Sequence, residues 1–418
     1  MSSDDSLVDN KSDELTVEYQ RSKEIEEGIS SRESSKTLLV DDEGDKRYKT
    51  VQLSSSRRDR IYWIDALRVL ANFMVIFIHC TGVDLKPLPF KSKNWKILNF
   101  YNSLLKPCVP LFIMISGVFF LDPKRPVTIS ALYNKSIPRL AKSYIVWSSF
   151  YCIVDEIFIN IHGIKYHYSR TLVRDIIKKS ILGGGHLWYL NYAMGLYILT
   201  PIFRELIFNK TLTWYTLSLS IIVAQVLPTI GDFYDSFTKY GFSVARQFID
   251  SLRLTPIGNY VNYFMLGYLL NTYTFKKKWQ VFLFYVLGII GLVSSVILRF
   301  ASCYSLHRES GAFSDYNSFN VTLETIGIFM FFKYSVQKYL KVLLKYRMFK
   351  KALIQLSDCS FGIYLIHMAI YHIIYRCHLH PFSFNPIICA PLCSILVYLL
   401  SFICIYFLRK IPIIKHFM

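Results

Sequence analysis

The first 55 residues contain no apolar run, so they lack the h-region of a cleavable signal peptide, and none is expected. Nine cysteines occur, at 80, 108, 152, 303, 359, 377, 389, 393 and 404, but none forms a C-x-x-C pair. That argues against a zinc or redox motif. Most of them fall inside apolar blocks, where a free cysteine behaves as a small hydrophobe. Cys303 and Cys377 both fall near one expected surface and are the pair open to a disulfide. No internal repeat is visible, which argues against repeat-built transporters. Acidic residues are scarce after the N-terminus: 14 of the 29 Asp and Glu lie in residues 1–50. With eight basic residues there, that segment carries −6 and the remainder +25. The surplus forms no basic stripe interleaved with a polar fold, so nucleic acid is not expected as a partner.

What is present is apolar. The chain has 418 residues, 53% of them hydrophobic, gathered into long blocks. That is the signature of a membrane protein rather than of two or three soluble domains. The expected class is all-α, a polytopic membrane protein with about ten transmembrane helices of ~20 residues each. The spans are expected near 61–81, 98–121, 138–161, 187–207, 212–231, 256–273, 279–299, 318–335, 357–377 and 385–408. Residues 1–56 are rich in Ser, Asp, Glu and Lys and read as a disordered tail. The membrane domain is expected over 57–412 and a short C-terminus over 413–418. Basic clusters at 276–278, 338–351 and 409–415 fall on one side of a ten-span chain, while 378–384 has no Lys or Arg. The positive-inside rule makes the basic side cytoplasmic and puts both termini there, most simply at the plasma membrane among its lipids.

The first span carries ionisable side chains. Arg68 and His79 are eleven residues apart, which brings them within about 20° on a helix and ~16 Å apart along its axis. Asp65 and Asn72 fall on the same face. Intramembrane charge is expensive and usually marks a ligand path or reaction site; buried structural charge or a snorkelling arginine is the plain alternative. In span nine, Ser357, Ser360, Tyr364, His367 and Tyr371 recur at three- and four-residue steps. That stripe suits either an internal cavity or an interhelical hydrogen-bond ladder. Ser116 precedes Gly117 in span two, where the pair either permits close helix packing or lets Ser116 bond a substrate or His79. Lys135, Arg139 and Lys142 form a basic group that is either a positive-inside flank or a phosphate site. Three glycines precede His186 and Trp188; His186 either contacts an acceptor or lies idle at the surface. No metal site is expected.

These segments together resemble the acyltransferase-3 family of integral-membrane acyltransferases, most nearly the branch with the enterobacterial common antigen O-acetyltransferase. The resemblance runs from about Arg60 to Arg409. It is carried by Arg68-x10-His79 with "IYWIDALRVL", "VPLFIMISG" at 109–117, "HLWYL" at 186–190 with "GLYILTP" at 195–201, and "FGIYLIH" at 361–367. It implies transfer of an acyl group, commonly acetyl, from a cytosolic acyl-CoA such as acetyl-CoA to a hydroxyl of a carbohydrate or lipid-linked glycan. It implies no bound cofactor beyond that donor. Arg68 and His79 match the family's essential pair, and His367 is read with them as catalytic. Arg68, Lys135, Arg139 and Lys142 are read as the donor site. Asp65, Asn72, Ser116 and Tyr364 support it, and His186 and Trp188 face the acceptor. Lys142 stands where another branch has arginine, and Val69 where glycine is common. A reference pKa of about 6.5 suits His79 as base or acyl carrier. A non-enzymatic transporter with polar stripes lining its path is the alternative.

Overall fold

Pro107 divides the second apolar segment. A proline has no N–H to donate and disfavours helix in the residue before it. The computed structural model accordingly breaks residues 93–120 into two helices, Lys93–Leu104 and Cys108–Phe120, joined at Leu105–Pro107. The expected uninterrupted span at 98–121 is corrected in that respect. The structure describes residues 60–85, 88–161, 174, 185–238, 241–254, 258–412 and 417, with two short strands earlier.

The chain divides into two units, 1–61 and 62–418. In the first, the described residues are two-residue strands β1 (Thr37–Leu38) and β2 (Val51–Gln52), paired antiparallel. The rest of the expected disordered tail, and most of 413–418, lie outside the described residues.

In the second unit the described elements are helical. They are α1 (Tyr62–Leu85), α2 (Lys93–Leu104), α3 (Cys108–Phe120), α4 (Ile137–Ile161), α5 (Trp188–Phe208) and α6 (Lys210–Phe237). There follow α7 (Ser243–Ser251), α8 (Val261–Thr272), α9 (Lys278–Ser305), α10 (Phe319–Phe331), α11 (Arg347–Arg376) and α12 (Pro386–Leu408). A helix occurs at each expected span. Among the described residues six stretches are long and apolar enough to cross a membrane: Tyr62–Gly82, Lys93–Phe120, and α6, α9, α11 and α12. Helix α8 has 12 residues, about 18 Å at 1.5 Å per residue, shorter than the expected 256–273. Helix α11 begins ten residues before the expected 357.

Burial ranks these helices. Two-thirds of the apolar window of α1 is buried, against 17% of that of α9. Helix α1 packs on α11, α12, α3 and α2 and so occupies the centre. That arrangement matters because α1 and α11 carry the two polar stripes.

Candidate active site

One end of the α1–α11 seam is held by three side chains. Ser357 Oγ donates to Asp65 Oδ1 at 2.6 Å, and Arg68 Nη1 donates to Ser357 Oγ at 3.1 Å. The Arg68–Asp65 ion pair at 3.6 Å closes the group. One turn along, Asn72 Nδ2 donates to the Ser360 carbonyl at 3.0 Å. Charge-assisted hydrogen bonds are the strong ones in a dry interior. They fix the guanidinium direction and the register of α1 on α11 together.

Arg68 opens into a cavity of about 390 Å³. Lys135 and Arg139 line it with Arg68, and its walls include Phe112, Phe119 and Phe361. Arg139 lies over the Phe361 ring at 5.6 Å, and Arg68 over Phe119 at 5.8 Å. Arg204 donates to the carbonyls of Phe120 and Asp122 through Nη1 and of Arg125 through Nη2, at 2.9–3.0 Å, which pins the loop after α3. Three cations along an apolar cavity suit an anionic ligand with a long uncharged arm.

Three histidines meet further along the seam. The ring of His79 lies 5.2 Å from His367 and 6.0 Å from His186, and those two are 4.9 Å apart. His367 Nδ1 faces the Tyr364 carbonyl at 2.7 Å. A carbonyl can only accept, so Nδ1 carries the proton and Nε2 offers a lone pair. That Nε2 is buried with no hydrogen-bond partner. His186 Nε2 donates to the Leu365 carbonyl at 3.4 Å, which also accepts from Tyr151 at 2.7 Å. Among the described residues nothing hydrogen-bonds the His79 ring. Two imidazoles are thus oriented by carbonyls of α11, and the third is unrestrained beside them.

The cavity stops one helical turn short of this cluster. Val75 and Tyr364, four and three residues before His79 and His367, both line it. Tyr189 lines it as well, and its ring meets that of Tyr364 at 5.9 Å. The Tyr364 hydroxyl donates to the His186 carbonyl. These two tyrosines stand between the cavity and the imidazoles.

Some expected residues fall elsewhere. His186 is 6% exposed, not an idle surface residue, because Gly185 takes a φ of +57° and turns the chain inward ahead of α5. Gly183 and Gly184 lie outside the described residues. Ser116 lines the cavity and donates to the Phe112 carbonyl at 3.0 Å rather than to His79. Lys142 is exposed on α4 and does not line the cavity. Trp188 stacks on Tyr316 at 5.8 Å, beyond the histidines. Cys303 and Cys377 are free, and Cys303 is buried against Ser310, so the open disulfide is not formed. Among the described residues no three His, Cys, Asp or Glu side chains are arranged to hold a metal ion.

Sequence reasoning missed Lys106 and Tyr151. Lys106 sits at the α2–α3 break, acts electrostatically on His79, and lies over the Tyr316 ring at 5.4 Å. Pro107 beside it was the available signal. Tyr151 packs on His186 with ring centroids 4.8 Å apart. It falls on an apolar helix face with nothing in its spacing to mark it.

No curated protein and no solved structure matches the chain. The family model described as "Acyltransferase domain" matches residues 61–406, an interval that contains Arg68, the cavity and all three histidines. The chain therefore belongs to the acyltransferase-3 family and is an integral-membrane acyltransferase.

Proposed function

We propose that the protein is an O-acyltransferase, most simply an O-acetyltransferase, that moves an acyl group from cytosolic acyl-CoA to a carbohydrate hydroxyl at or across the membrane. The carrying observation is the alignment along one helix seam of a cationic cavity and a histidine cluster. Ten passes with the basic loops and both termini in the cytoplasm put the Arg68 end toward the donor. The plasma membrane is the simplest location. The acetyl reading draws on the resemblance to the enterobacterial common antigen branch.

Arg68, Lys135 and Arg139 receive the phosphates, with Lys142 as an outer contact. A cavity of 390 Å³ suits the pantetheine arm and leaves the nucleotide at its mouth. The arm spans about the 16 Å that separates Arg68 from His79 along α1, and its tip reaches the imidazoles once the Tyr189 and Tyr364 rings swing aside. His79 takes the proton of the acceptor hydroxyl. The alkoxide oxygen bonds to the thioester carbonyl carbon, the C–S bond breaks, and the thiolate regains the proton from His79. His367 positions His79 and shares its proton through Nε2. His186 and Trp188 border the acceptor. Proximity accounts for much of the rate, since both substrates are held at one point.

Radiolabelled acetyl-CoA, purified protein and extracted surface glycans test this. His79→Ala is expected to lose label transfer by at least about 10²-fold, the usual worth of a general base. Transfer by His79→Ala at the wild-type rate would overturn the reading.

A further inference from the structure

A second cavity, of about 740 Å³, lies outside the seam, between α6, α7 and the loops at 258–259 and 311–318. We propose that it is the docking subsite for the glycan body of the acceptor, a neutral polyhydroxylated chain. This rests on the acyltransferase reading above.

Its chemistry matches such a ligand. Asp232, Arg246, Arg253, Asn259, Asp315 and Asn317 line it, with apolar side chains such as Val223 and Leu227 as a floor. Arg246 is neutralised, 3.1 Å from Asp235 and 4.0 Å from Asp232. Arg253 and Asp315 balance one another in sign, so the cavity carries no surplus to attract a phosphate. Carboxylates, guanidinium groups and amides supply both acceptors and donors, which is what vicinal hydroxyls require. Asn317 Oδ1 is buried with no partner, and Arg253 has no ion pair or hydrogen bond among the described residues. An unpartnered buried carbonyl is costly unless something bonds it. Phe242, stacked on Tyr234 at 5.8 Å, also lines the cavity and offers an apolar ring face for the C–H side of a sugar.

Its walls lead toward the histidines. Asn259 lines the cavity, and the next residue, Tyr260, packs on Trp188 at 6.0 Å. Asp315 and Asn317 line it, and Tyr316 between them stacks on the same Trp188 at 5.8 Å. Trp188 follows His186 by two residues. Trp188 with Tyr260 and Tyr316 thus forms an aromatic path from the cavity wall to the His186 segment. Burial pushes the Tyr316 phenol well above the usual tyrosine range, so it remains a neutral group on that path. Helix α7 explains access. Val244 and Phe248 are exposed on one face, while Arg246 and Ile249 face the cavity. An apolar exposed face suits a helix lying at a membrane surface.

The test compares cells of the native host carrying wild type, His79→Ala, Arg253→Gln or Asn317→Ala. Acyl mass is read by mass spectrometry in four fractions: lipid-linked glycan, polymeric glycan, lipid and protein. CoA binding to each purified protein is measured in parallel as the control of folding. The expected result is an acyl mass on glycan that His79→Ala loses. Arg253→Gln and Asn317→Ala should lower it about tenfold with the CoA Kd unchanged, as for loss of a hydrogen bond to a charged or buried group. Whichever glycan fraction carries the mass names the source. Wild-type glycan acylation in both variants would overturn the subsite, and so would acyl mass found only on lipid or protein. If His79→Ala loses no acyl mass in any fraction, the catalytic reading falls and the subsite with it.

Discussion

Arg68 is held by geometry that lysine cannot copy. Its Nη1 reaches Ser357 Oγ and Asp65 Oδ1 at once, while the guanidinium plane lies near Phe119. A lysine keeps the charge but offers a point rather than a fork. Arg68→Lys is expected to raise the KM for acyl-CoA about tenfold or more, since charge-assisted hydrogen bonds are worth roughly 1.5–3 kcal/mol each. Its kcat should change less, because the histidines stand at the other end of α1. Steady-state kinetics at varied acyl-CoA would check this, and a loss confined to kcat would contradict it. The residues themselves were legible: helical phase alone put Asp65, Arg68, Asn72 and His79 on one face. What phase does not carry is contact between helices. Ser357 meets Asp65 across 292 positions of sequence, and no periodicity within α1 or α11 encodes that meeting. For the same reason the sequence left the burial of His186 open.

At the scale of elements, the site depends on close crossings as much as on charge. Gly117 on α3 lies against Phe264 of α8, and Gly267 of α8 lies against Met114 of α3. A Cβ on either would overlap the other helix's backbone carbonyl. The reciprocity locks α3, whose Phe112, Ser116 and Phe119 wall the cationic cavity. Of the readings the sequence left open for the Ser-Gly pair, close packing is made by Gly117, while Ser116 lines the cavity without bonding His79. Gly117→Ala is expected to destabilise by about 1–3 kcal/mol, the cost of forced overpacking. Thermal melting in detergent should show a lower Tm, and the KM for acyl-CoA should rise as α3 shifts. An unchanged Tm would mean the crossing relaxes freely. Boundaries were the weaker part of the sequence reading here. The α2–α3 break follows from Pro107, but the early start of α11 at Arg347 is hidden because Arg347, Lys350 and Lys351 interrupt the apolar residues of its first turns.

Over the whole molecule, the charge asymmetry of the chain separates from its chemistry. The acidic N-terminal segment carries −6, yet Arg68, the cavity and the three histidines all belong to the unit spanning 62–418. The family match begins at residue 61, at the same boundary. Acyl transfer is therefore expected to survive deletion of residues 1–59, with kcat and the KM for acyl-CoA within about twofold of the full chain, since every candidate site residue lies in the unit that is kept. Retaining Arg60 keeps the basic residue that flanks α1. The measurement is label transfer from acyl-CoA by matched amounts of full-length and shortened protein. The cavity carries Arg68, Lys135 and Arg139, so an acidic tail that docked there would compete with CoA phosphates on the proposed reading. Its deletion would then lower the KM severalfold at low salt, and raising the salt would narrow the difference between the two chains. Equal KM for the two chains at each salt concentration identifies the tail as outside the cationic cavity.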